Sequence, residues 1–161
     1  MQPADSETRA TLEDHKALRL WLRLLACSNL IEASVRTRLR KEFGSTLPRF
    51  DLLSQLERAP QGLSMGELSK RMMVSCGNVT GLASSLVAQG LITREPLPNN
   101  KRTYQVKLTP EGRKEFAVMA EAHEAWIIDL FQGVNGREID RLMELLGKLK
   151  TGIRRHHQAE T

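Results

Sequence analysis

Residues 75–92 read SCGNVTGLASSLVAQGLI. Ser75, Gly77, Asn78, Thr80, Gly81, Ser84 and Ser85 gather hydroxyls, an amide and bare backbone there, with no charge among them. The remaining positions Val79, Leu82, Ala83, Leu86 and Val87 fall at i, i+3, i+4, i+7 and i+8, the apolar stripe of a helix. Solvent-facing helices ordinarily carry Lys and Glu, and each glycine costs about 1 kcal/mol against Ala. A small, neutral, hydrogen-bonding face suits recognition instead. Small side chains let the backbone approach closely, an Asn amide can pair bidentately with adenine, and Ser or Thr can bond bases or phosphates. A helix N-terminus adds free N–H groups that attract phosphate. Ser75, Gly77, Asn78, Thr80 and Ser84 therefore read as a surface for the major groove of duplex DNA. Taken alone, this face is also compatible with packing against protein.

The second cluster is Asn99, Asn100, Lys101 and Arg102, preceded by Arg94. Cations on a narrow hairpin tip suit the negative potential of a minor groove, and Arg94 near the hairpin base suits a phosphate. The plainer reading of such a tip is a solvated turn. Covalent chemistry is poorly supplied. The four histidines, His15, His123, His156 and His157, accompany no nucleophile elbow, phosphate-binding loop or zinc-protease pattern. Adjacent His156 and His157 make a poor metal site. No catalytic residue, metal or cofactor is expected. Cys27 and Cys76 lack metal-ligand spacing. They suggest a reducing, cytoplasmic setting and read as incidental thiols, with redox sensing at Cys76 the sharper alternative.

The elements that position these clusters follow from periodicity and capping. A long helix is expected from about His15 to Phe43, stopped by Gly44, and a second from about Pro48 to Arg58. Ser64-Met65-Gly66-Glu67 has the form of a capping box and starts a third, to about Met73. Ser75 caps the fourth, which Gly90 ends. Leu91–Glu95 and Thr103–Leu108 read as two strands around a turn at 96–102. Thr109-Pro110-Glu111 opens a fifth helix to about Phe131, and Asn135 caps a sixth to about His156. The fold class is mainly α with a small two-stranded β-wing: a winged helix-turn-helix with helical extensions at both ends. The expected divisions are a loose tail at 1–14, a first dimerisation helix at 15–46, the winged helix-turn-helix at 47–112 and C-terminal dimerisation helices at 113–157.

Bulk properties agree. The chain has 161 residues, a net charge of +5 and 40% hydrophobic residues, which fits a soluble domain with a mild preference for polyanions. No apolar run approaches the roughly 20 residues of a membrane span, and no signal peptide is evident. Neither membrane partner nor secretion is expected.

Residues 63–115, LSMGELSKRMMVSCGNVTGLASSLVAQGLITREPLPNNKRTYQVKLTPEGRKE, resemble the helix-turn-helix and wing of the MarR family of bacterial transcriptional regulators. Residues 134–150, VNGREIDRLMELLGKLK, resemble its C-terminal dimerisation helix, and the likeness spans about 15–155. One departure is visible. The family often reads Asp-Pro-x-Asp-Arg-Arg at the wing, where this chain reads Leu97-Pro98-Asn99-Asn100-Lys101-Arg102. If an Asp normally positions a wing arginine, that support is missing here.

The resemblance implies a homodimer built on the first, fifth and sixth helices. Leu18, Leu142, Leu145, Leu146 and Leu149 are the apolar residues that would serve it, although an intramolecular core helix would show the same stripe. A twofold dimer sets two recognition helices about 34 Å apart, one DNA turn, so the expected target is a near-palindromic operator. The resemblance also implies a repressor released by a small aromatic acid or its coenzyme A thioester. Arg19, Trp21 and Arg23 with His123 and Trp126 offer aromatic surface and cations for such a ligand. Arg36, Arg38 and Arg40, beside Lys41, could hold the phosphates of a larger effector. Core packing for the tryptophans and solvation for the arginines are the plainer readings. Effector-independent regulation, activation, and a winged helix that binds only protein are the alternatives.

Overall fold

A computed structural model describes residues 15–72 and 79–160. The expected tail at 1–14 and the candidate contacts Ser75, Gly77 and Asn78, together with Cys76, lie outside the described residues. The elements run α1 (Lys16–Phe43), α2 (Leu47–Glu57), β1 (Leu63–Ser64), α3 (Met65–Arg71), α4 (Val79–Ala88), β2 (Ile92–Leu97), β3 (Asn100–Leu108), α5 (Pro110–Leu130) and α6 (Gly136–Ala159). By internal packing the chain divides into two compact units, with the boundary between Glu124 and Ala125, inside α5.

Local chemistry sets the element ends. Gly44 takes the left-handed conformation, φ 59°, after α1, and its N–H returns to the Arg40 carbonyl. Thr46 caps α2 by accepting from the Arg49 N–H. The Ser64–Glu67 box is closed both ways: the Glu67 carboxylate accepts from the Ser64 N–H at 2.9 Å, and the Ser64 hydroxyl accepts from the Glu67 N–H at 3.1 Å. The Ser64 N–H bonded to that carboxylate, with the Ser64 hydroxyl acting on it as well, holds the Glu67 carboxyl below the usual carboxylate range. Asn135 and Glu138 form a second such box at the start of α6. The core of the first unit is aliphatic, with Leu39, Leu52, Leu53, Leu56, Leu68, Leu86 and Val106 fully buried.

The sheet is larger than expected. It has three strands in the order β1-β3-β2, all antiparallel, with Leu63 opposite Val106 and Ser64 opposite Gln105. The third strand is only Leu63–Ser64, and β3 supplies its pairing, so no local pattern marks it. The wing strands also run further than expected, to Leu97 and from Asn100, which leaves Pro98 and Asn99 as the turn. Pro96 is tolerated because β2 is an edge strand, where a missing N–H costs no ladder bond.

The wing is pinned to α5 at its base. The Thr109 N–H donates to the Leu91 carbonyl at 3.1 Å, and its hydroxyl donates to the Gly90 carbonyl at 2.6 Å. That hydroxyl also accepts from the Gly112 N–H at 3.0 Å, capping α5.

Candidate nucleic-acid interface

The described part of α4 divides its faces as its residue types require. Ala83 and Leu86 are buried, Val79 and Leu82 are half-buried, and Thr80, Gly81, Ser84 and Ser85 are exposed. Val87, expected on the buried stripe, is exposed at its edge. The helix packs on α3 and on β2, so its neutral face and the wing belong to one compact unit. A link not evident from the sequence holds its C-terminal end: the Arg49 guanidinium donates to the Gln89 side-chain oxygen at 2.6 Å, tying α2 to the residue after α4.

In the wing, Asn100 shapes the tip. Its side-chain oxygen accepts from the Arg102 N–H at 3.1 Å, and its amide donates to the Thr103 hydroxyl at 3.0 Å. This Asx arrangement orients the tip backbone and leaves Lys101 and Arg102 exposed. Arg94 lies on β2, exposed, with its guanidinium carbon 4.5 Å from the centre of the Tyr104 ring.

Comparison with known proteins decides the family. The sequence model of the MarR family matches residues 45–104. HTH-type transcriptional regulator YkoM of Bacillus subtilis is 32% identical over 133 residues, 82% of each chain. The chain belongs to the MarR family. This MarR-family protein is accordingly a DNA-binding transcription regulator with a winged helix, and not an enzyme. It is also similar to the transcriptional activatory protein BadR of Rhodopseudomonas palustris, 32% identical over 107 residues. That match covers 65% of this chain and 61% of BadR, less than two thirds of its length. Among solved structures it resembles a MarR family regulator from Silicibacter pomeroyi, with TM-score 0.75 and 31% identity over 87% of this chain and 96% of that one.

The remaining candidate residues of this MarR-family chain are distributed as follows. Leu18, Leu142, Leu145, Leu146 and Leu149 are each 40–48% exposed, and no residue of α6 is buried. Arg19 and Arg23, with Lys16 and Leu20, line a shallow depression of about 250 Å³ on α1. Trp21 is exposed and stands about 200° round the helix from both arginines. Arg36 is ion-paired with Glu32 one turn earlier, Arg38 is half-buried, and Arg40 is exposed in the last turn. His123 stacks on Phe50 with ring centres 4.8 Å apart, and burial pushes its imidazole pKa down. Trp126 is buried and Cys27 exposed. Among the described residues, no group of three or more His, Cys, Asp or Glu is arranged to hold a metal. None of the described helices is long and apolar enough to cross a membrane.

Proposed function

We propose that the protein is a homodimeric repressor that binds a near-palindromic operator and is released by a small aromatic acid or its coenzyme A thioester, acting in the cytoplasm. The observation that carries the DNA-contacting part is the exposed, uncharged face of α4, Thr80, Gly81, Ser84 and Ser85, in one unit with a cationic wing. In this reading Ser75, Gly77, Asn78, Thr80 and Ser84 address base edges and phosphates of the major groove, and Arg94, Asn100, Lys101 and Arg102 follow the backbone and minor groove.

The dimer is supported by apolar surface. Fully burying one Leu gains about 1.5–3 kcal/mol. Leu142, Leu145, Leu146 and Leu149 remain 40–46% exposed, and Leu18 and Trp21 on α1 are about half exposed. Covering them with the same faces of a second copy is the simplest use of that area. Residues 15–46 and 113–157 would then serve dimerisation, and 47–112 DNA contact. An anionic effector is supported by the Lys16, Arg19 and Arg23 depression.

Selection from a random duplex library, followed by sequencing, tests the reading. It is expected to return an inverted repeat with half-site centres about 10 base pairs apart. Enrichment of no sequence, or of an isolated half-site, would contradict it. Aromatic acids and their coenzyme A thioesters are then added to the complex, and release by neither would remove the effector part.

A further inference from the structure

Strand register divides the wing into two faces. Antiparallel partners share a face, and here Ile92 pairs with Leu108, Arg94 with Val106 and Pro96 with Tyr104. Ile92 and Val106 are buried, while Arg94 and Tyr104 lie further toward the tip and are exposed. Arg94 is therefore the only charged residue among those six. Its strand neighbour Glu95 alternates to the other face, opposite Gln105.

Arg94 and Tyr104 are diagonal neighbours across the two strands, a spacing within reach of long and aromatic side chains. The guanidinium sits 4.5 Å from the ring centre, within cation–π range. We propose that Tyr104 is a positioning residue whose ring holds the Arg94 guanidinium ready for a DNA phosphate. The inference rests on the proposed DNA contact and assigns a role within it. The physical distinction is in what each partner consumes. A carboxylate takes up N–H donors of an arginine and cancels its charge. A ring held against the guanidinium restrains it while leaving its charge uncancelled and its in-plane N–H donors available. The result is a restrained cation with no carboxylate on its face of the wing.

A double-mutant cycle on the selected operator tests this, with affinity read by fluorescence anisotropy at low salt. Tyr104→Phe keeps the ring and is expected to bind within about twofold of the unmutated protein. Tyr104→Leu removes the π face and is expected to weaken binding about two- to fivefold, the range of an exposed cation–π contact. In an Arg94→Ala background Tyr104→Leu is expected to cost nothing further. Equal loss in both backgrounds, or no loss in either, would overturn the role.

A second readout needs no DNA. In the free protein the Arg94 side-chain protons are expected upfield in the NMR spectrum, shifted by the Tyr104 ring current, and to return to ordinary positions in Tyr104→Leu. Operator binding with unshifted Arg94 protons would overturn the positioning role alone. Failure of the unmutated chain to bind any duplex would overturn the DNA reading, and this role with it, whatever the NMR shows.

Discussion

Gly112 stands where the wing meets α5, and replacing it with alanine should harm the protein even though alanine is the better helix former. A Cβ at Gly112 would lie 1.9 Å from the Leu91 carbonyl oxygen and 2.8 Å from its carbon. Carbon and oxygen ordinarily approach to about 3.3 Å, so the backbone would have to give by more than about 1 Å. That carbonyl accepts the Thr109 N–H, and the adjoining Gly90 carbonyl accepts the Thr109 hydroxyl. Moving Leu91 therefore strains or breaks the bonds that pin the wing. Overpacking costs about 1–3 kcal/mol and a hydrogen bond left unmade a similar amount, so a loss of about 3 kcal/mol is expected. For a chain of this size that lowers Tm by about 6–12 °C. Gly147→Ala is the control. Gly147 is also helical, but its added Cβ would meet nothing within 4 Å, so helix propensity alone should raise stability by about 0.5–1 kcal/mol. Thermal unfolding followed by circular dichroism reads both. A Gly112→Ala protein that melts with or above the unmutated one would refute the steric argument.

Three further outcomes are expected. His123 has its pKa lowered by burial, below the ordinary 6.5. The unfolded chain therefore binds more protons between the folded pKa and 6.5, and stability is full above that window and falls as pH drops through it. Urea unfolding at stepped pH should show this fall, and His123→Phe, which keeps an aromatic ring for Phe50, should flatten it. If the proposed dimer forms, Leu145→Asp with Leu149→Asp places charge on the apolar stripe of α6 and should convert it to a monomer in light scattering, with the α-helical spectrum retained; an unmutated chain that is already monomeric would contradict the dimer. Arg102→Ala should weaken operator and random duplex about equally and reduce the salt slope by about 0.9 per wing. An unchanged slope would place that side chain away from phosphate.

What the sequence made legible was local. The Ser64–Glu67 and Asn135–Glu138 boxes, the Thr109 cap before Pro110, and the glycines at 44 and 90 all act within a few residues, and each is found where its motif predicts. What it concealed depends on partners distant in the chain. Leu63–Ser64 is a strand only because β3 lies beside it. Pro96 looked like a breaker because edge position is a property of the sheet. The stacking of Arg94 on Tyr104 depends on strand register, and His123, marked by the sequence as a ligand candidate, meets Phe50 across 73 positions of chain. The Arg49–Gln89 bond, 40 residues apart, is of the same kind.

The central claim, that the neutral face of α4 and the cationic wing form a sequence-reading DNA surface, is tested most directly by a fluorescence-anisotropy titration. The purified chain is added to a duplex from upstream of its own gene at two salt concentrations, with random duplex as competitor. The account predicts tight binding that random DNA does not displace and that weakens steeply as salt rises. Weak binding that ignores both sequence and salt, on this duplex and on any enriched by selection, would contradict it and leave the winged helix as a surface for protein.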